Sequence, residues 1–247
     1  ISPTISVGGA LFSASPLTMI GTEVINNYAY EGGGVHGSSS MTLTAVHVLS
    51  NTAEARGAGL DQNWLGGDDL AFWVYATDTY FENNVALTSY GGAIRVAGNA
   101  ALTRTQVISN SAAGLGGGMY VQYDVVLYDT QILSNTASSG GGIYQNVAGR
   151  QVTVTGGRIA HNAARVGGGG GLLTHSTLTM SDTHILTNTC SQWGGGVYLD
   201  GASANANWSA VNLIGNRAGQ SGGGLYVGDA SAHVTVTGGL WEGNIAE

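Results

Sequence analysis

Apolar and polar positions alternate with period two in short windows, and the windows recur along the chain. Val24, Val48, Phe81, Val107, Ile132, Ile159, Ile185, Leu213 and Trp241 are preceded by Glu23, His47, Tyr80, Gln106, Gln131, Arg158, His184, Asn212 and Leu240, which are mostly polar. Period two is the signature of a strand with one face inward and one outward. A second strand precedes this one, in Met41–Thr44, Val152–Thr155, Thr177–Met180 and Val234–Thr237. A third follows each glycine run, beginning at Leu11, Val35, Leu60, Ile94, Met119, Ile143, Leu172, Val197 and Leu225. β-branched residues dominate, and no window has a helical period.

Three residues after each inward position stands an asparagine: Asn27, Asn51, Asn84, Asn110, Asn135, Asn162, Asn188, Asn216 and Asn244. Successive copies are 24 to 28 residues apart, with one step of 33. A repeat of this length predicts a solenoid in which each copy is one coil. Three strands per coil, each stacked on its copy in the next, give a right-handed single-stranded parallel β-helix of about nine coils, because parallel crossovers are right-handed. Residues 1–247 form one domain, a rod of roughly 43 Å at ~4.8 Å per rung.

The recurring residues have physical reasons. Asn tolerates left-handed turn geometry, and stacked amides hydrogen-bond from rung to rung. Glycines suit a corner where backbones approach closely or φ is positive. Two residues after each Asn stands Ala, in eight copies, or Cys190 in the ninth. A slot so uniform in size is a crowded buried turn, and Cys190 reads as a small packing residue there rather than as a reactive thiol.

Composition narrows the function. Charged residues are 9% of the chain, hydrophobic residues 43%, and the net charge is −8. That is a packed chain rather than a disordered acidic one. Arginines number seven and lysine is absent. A nucleic-acid partner is not expected, since phosphate contacts need clustered cations. No apolar run is long enough for a membrane-spanning helix. The single cysteine cannot form an internal disulfide.

The 33-residue step places an insertion around 61–69, in Asp61-Gln62-Asn63-Trp64-Leu65-Gly66-Gly67-Asp68-Asp69. Asp61, Asp68 and Asp69 are the candidate calcium ligands there. The competing reading is a solvated loop with Trp64 folded onto the body, and otherwise no cofactor is expected. The second residue of the strand after each glycine run is Phe12, His36, Asp61, Arg95, Tyr120, Tyr144, Leu173, Tyr198 and Tyr226. Alternation puts this column outside. Its tyrosines, Tyr120 with Tyr144 and Tyr198 with Tyr226, form a stripe that either stabilises the sheet or binds sugar rings. Asp78, Arg104 and Asp129 lie on three successive rungs as a charge ladder. His47 and His184 share a face five rungs apart, too far to share a metal. Asn207-Trp208-Ser209 is a glycosylation triplet.

Gly91-Gly92-Ala93-Ile94 and Phe81-Glu82-Asn83-Asn84 carry a resemblance. They are literal cases of the GGA[ILV] and FxxN repeats of chlamydial polymorphic outer-membrane proteins, and the other copies look like looser forms. The resemblance implies a surface-exposed β-helical passenger domain, adhesive rather than catalytic. The fold also resembles the pectin-lyase-like superfamily, many of whose members cleave polysaccharides with clustered carboxylates, or with a basic residue near calcium. Near-identical coils without long loops point away from an active site. The expectation is therefore a non-catalytic structural or adhesive protein, extracellular or at the cell surface, with carbohydrate or a host surface as a possible partner. A polysaccharide lyase or glycoside hydrolase is the alternative.

The ends suggest assembly. The repeat stops mid-coil after Trp241 and Ile245, while Ile5, Val7 and Leu11 open on the strand and glycine run that would come next. One chain's end would complete another's beginning, a heterologous contact that generates an open filament. The apolar residues two before each Asn, Ile25, Leu49, Ile108, Leu133, Leu186 and Ile214, would add a lateral stripe.

Overall fold

The computed structural model describes residues 6–63, 71–202 and 204–247. The chain winds as a parallel β-solenoid of nine coils. The first coil consists of β1 (Leu11–Ser13), β2 (Leu17–Ile20), β3 (Glu23–Ile25) and β4 (Tyr28–Glu31). The second repeats it with β5 (Val35–Gly37), β6 (Met41–Thr44), β7 (His47–Leu49) and β8 (Thr52–Arg56), and the third opens with β9 (Leu60–Gln62). Each strand pairs in parallel with its copy one coil on, giving four sheets of nine strands. The expected three strands per coil become four. The Asn-x-Ala segment, expected as a turn, is itself a short ladder strand in every coil, as in Thr136–Ala137 paired with Ala163–Ala164.

The inward column stacks in register from Val24 through Val48, Phe81, Val107 and Ile132 to Leu213 and Trp241. All but Trp241, on the last rung, are buried. They join the inward residues of the other sheets in one core along the rod. The Ala column packs separately, with Ala164, Cys190 and Ala218 in contact, and burial pushes the Cys190 thiol up.

The asparagines form one column, buried from Asn51 to Asn216 and half-buried at Asn27 and Asn244. From Asn27 to Asn216, each donates its main-chain N–H and one side-chain N–H to Oδ1 of the Asn on the next rung, at 2.9–3.0 Å. In the interior copies the other side-chain N–H goes to a carbonyl, as Asn135 Nδ2 does to Val107 O at 2.8 Å. The left-handed geometry expected of these asparagines falls instead on the residue before them: Asn26, Ser50, Asn83, Ser109, Ser134, His161 and Thr187 have φ of 50–58°. That residue turns the corner, and the Asn behind it can then point inward. A second left-handed corner, at Asp78, Arg104, Asp129 and Asp182, precedes Thr79, Thr105, Thr130 and Thr183. These threonines are buried and bond to carbonyls, as Thr105 Oγ1 does to Ala76 O at 3.1 Å.

Each glycine run answers two demands. Gly140 has φ of 59°. Gly142 packs so closely on the next rung that a Cβ would lie 2.5 Å from Gly171 O. The first glycine also lies over the outward residue four positions on: a Cβ on Gly57 would meet Asp61 Cβ at 2.6 Å, and one on Gly140 would meet Tyr144 Cβ at 2.8 Å. The link before the run thus folds back over the strand after it.

Candidate functional site

That fold-back changes the column expected to face solvent. It does point away from the core, but it lies in a furrow between the first sheet and the overhanging links. His36, Asp61, Arg95, Tyr120 and Leu173 are buried, Asp61 completely and Tyr120 to 8% exposure. Tyr90, from an overhanging link, stacks on Tyr120 at 4.9 Å, and Tyr120 stacks on Tyr144 at 5.7 Å with planes 7° apart. Further along, Trp193 lies over Tyr226 at 6.0 Å, and Tyr198 meets Tyr226 edge-on at 5.3 Å. Stacked rings turn their faces to one another and only their edges outward, so the flat sugar platform considered for Tyr120 and Tyr144 is not presented.

A hydrogen-bonded chain crosses three rungs of this furrow. Tyr144 Oη lies 3.2 Å from His175 Nε2, and His175 Nδ1 lies 2.9 Å from Asp200 O and 3.4 Å from Asp200 Oδ2. Both neighbours of Nδ1 are acceptors, which puts the ring proton on Nδ1 and makes Nε2 the acceptor of the Tyr144 hydroxyl. Tyr198 donates to Asp200 Oδ1 at 3.0 Å. Burial first, then the neighbouring Tyr120 and Asp200, pushes Tyr144 up to about 12. The arrangement can relay a proton from phenol to imidazole, but the phenol is held protonated, as an acid rather than a base. His175 lies between repeated positions, so column alignment did not reveal it.

Among the described residues, the densest charge cluster lies near the N-terminal end of the furrow. His36, Asp61 and Arg95 are register partners on consecutive rungs, and Glu31 is the register partner of Arg56 on the overhang. His36 Nδ1 stands 3.0 Å from Asp61 Oδ2, and Arg95 Nη1 3.5 Å from Asp61 Oδ1. Arg56 Nη2 stands 2.9 Å from Glu31 Oε1, with its Nε 3.9 Å from Asp61 Oδ2. Arg95 Nη1 also donates to Gln62 O at 3.0 Å. A cleft of about 410 Å³ opens on this cluster, lined by Val7, Phe12, Glu31, His36, Ser38, Arg56 and Asn63. Phe12 stacks on His36 at 5.6 Å.

Asp61, grouped above with the insertion, is the centre of β9 and pairs within the furrow. The insertion therefore begins after Gln62, because pairing to His36 and Gly37 keeps Asp61 and Gln62 in the sheet. Asp68, Asp69 and Trp64 lie outside the described residues, as does Ile5. Asp78 and Arg104 form a two-point exposed ion pair, at 2.7 and 2.8 Å, which holds the Asp78 carboxyl below the usual range. Asp129 acts on Arg104 only as a more distant charge, so the ladder is a pair and not a triplet. Val7 and Leu11 are half-buried on the first rung, while Trp241 and Ile245 on the last are 43% and 50% exposed. Ile25 is exposed and Leu49, Ile108, Leu133, Leu186 and Ile214 are half-buried, an outward stripe along the third sheet. Asn207 is exposed beside the buried Trp208. Among the described residues no helix is long and apolar enough to cross a membrane.

No curated protein and no solved structure matches the chain. Residues 70–240 match the family described as the right-handed beta helix region. With more than half its length matched and four parallel sheets wound over nine coils, this chain belongs to the right-handed β-helix family.

Proposed function

We propose that the chain is a non-catalytic structural or adhesive β-helix, extracellular or at a cell surface. The observation that carries this reading is the pairing of the furrow side chains with one another from rung to rung. Phe12 lies on His36, Asp61 sits between His36 and Arg95, and Tyr90, Tyr120 and Tyr144 stack in sequence. Groups that would act on a substrate are engaged in holding coils together. The likeness of Gly91–Ile94 and Phe81–Asn84 to the repeats of chlamydial surface proteins supports an adhesive passenger domain, with carbohydrate or a host surface as its partner. Incubation with neutral and acidic polysaccharides tests the reading. Retention without cleavage is expected, and cleavage would replace it.

The ladder is also polar along its axis. Asn27 presents an acceptor, Oδ1, toward one end, and Asn244 presents its main-chain and side-chain donors toward the other. Whatever rung follows Asn244, in the same polypeptide or in a second copy, must offer an acceptor there, and Asn27 of a second copy does. Head-to-tail growth into a filament is the form of self-association this polarity favours.

The second reading is a polysaccharide-cleaving enzyme. One observation favours it, the Tyr144 hydroxyl on His175 Nε2, a phenol–imidazole pair that suits proton transfer, with the ring held at Nδ1 by the Asp200 main-chain carbonyl.

A further inference from the structure

We propose that Glu31, His36 and Asp61 form a binding site for one divalent transition-metal ion of the zinc class. Each offers one ligand atom, and these atoms lie within 4.8 Å of one another. Two of them are buried without a hydrogen bond. His36 Nδ1 and Asp61 Oδ2 stand 3.0 Å apart, close enough for an ion pair, yet neither makes a hydrogen bond, and the one further charge near Oδ2 is Arg56 Nε at 3.9 Å. A buried nitrogen and a buried carboxylate oxygen that face each other without a hydrogen bond are costly, and a cation bound between them would satisfy both. Their 3.0 Å separation is shorter than the roughly 3.3–3.6 Å edge of a tetrahedron with bonds of ~2.0–2.2 Å, the range for zinc with nitrogen and oxygen ligands, so the two atoms would part by a few tenths of an ångström to take the ion.

The surroundings fit that ion. Arg95 holds Asp61 by its other oxygen, Oδ1, and bonds to Gln62 O, so it orients the carboxylate and leaves Oδ2 for the ion. Glu31 closes the site from the overhang, and the cleft beside Ser38 and Asn63 leaves a position for water. Three ligands including an imidazole nitrogen suit zinc, nickel or cobalt. Calcium takes six to eight oxygens and is not matched here. Arg56 is the competitor. It pairs with Glu31 at 2.9 Å, but its side chain is 28% exposed and lines the cleft, so it can swing to solvent when an ion takes Glu31.

The test is a titration of chelator-treated protein with cobalt(II), followed by visible ligand-field absorption and by competition with zinc and with calcium. One cobalt ion per chain is expected, with the intense bands of a four-coordinate site, displaced by zinc and untouched by excess calcium. His36→Ala should weaken binding by more than the ~10–100-fold that loss of an outer partner costs. Glu31→Gln, at a half-buried strand end, provides the same reading should His36→Ala fail to fold. Arg56→Gln should tighten binding severalfold, because it removes the competing cation; a cluster that served packing alone would not gain affinity on that change. No cobalt spectrum, equal affinity in wild type and Glu31→Gln, displacement by calcium, or weaker binding in Arg56→Gln would each overturn the proposal.

Discussion

Asn135 gives its main-chain N–H and one side-chain N–H to the same acceptor, Oδ1 of Asn162, at 2.9 and 3.0 Å. Its own Oδ1 receives the corresponding pair from Asn110. Every polar atom of this buried side chain is therefore used, and three neighbours depend on it. Asn135→Ala leaves the main-chain and side-chain donors of Asn110 unpaired, at about 1–3 kcal/mol for each buried group, and removes one of the bonds to the Val107 carbonyl. Asn135→Asp still accepts from Asn110 but sets a charged oxygen against Val107 O and Asn162 Oδ1, and should cost more. Thermal melting checks both. At ~2–4 °C per kcal/mol for a chain of this size, a drop of several degrees is expected, larger for Asp.

The opposite sign is expected one residue before a ladder asparagine. Thr187 is a β-branched residue held at φ 50°. Left-handed geometry costs such a residue on the order of 1–2 kcal/mol. Thr187→Asn should raise the melting temperature, less any loss of its exposed contact to His161.

The apolar and asparagine columns were legible because their content is size and period, which a sequence displays directly. Phe81 and Asn84 keep their places whatever the links do. The furrow was not legible. Alternation correctly turned Tyr120 and Asp61 away from the core, but exposure depends on whether the link before Gly116 or Gly57 folds back, and that is set by one left-handed glycine. The start of the insertion was hidden for a related reason. A spacing of 33 says that residues were added, not where, and only the pairing of Asp61 with His36 places Asp61 in β9. Asn favours left-handed geometry, yet the structure gives it to residues as unlike as Ser134 and Thr187, since the corner needs the position before the ladder Asn whatever residue occupies it.

High pH should loosen the furrow. Tyr144 is pushed up to about 12, and Tyr120 and Tyr198 are also raised, all chiefly by burial. Between the ordinary tyrosine value near ~10 and the raised folded value, the unfolded chain has lost the proton that the folded chain keeps. Stability is thus intact below pH ~10 and falls as pH rises toward 12. Melting temperature against pH, with tyrosinate absorbance, should show the fall, and Tyr144→Phe should flatten it.

The asparagine ladder runs in one direction, each copy donating to Oδ1 of the next from Asn27 to Asn216, and the proposed axial self-association follows that direction. Negative-stain microscopy of the 247-residue polypeptide should show rods joined end to end, each copy adding roughly 43 Å. Trp241→Glu with Ile245→Lys should leave single rods. Single rods from the wild-type polypeptide at high concentration would contradict axial growth.

The central claim is that the furrow's polar side chains hold coils together and do no chemistry. The most direct measurement compares wild type with Tyr144→Phe, which loses the hydroxyl bonded to His175 and nothing else. Both are incubated with acidic and neutral polysaccharides, with and without divalent ions, and new reducing ends and unsaturated products are followed over time, while melting is measured in parallel. The account predicts no product from either protein and a slightly lower melting temperature for the variant. Product formed by the wild type and lost in Tyr144→Phe would contradict it.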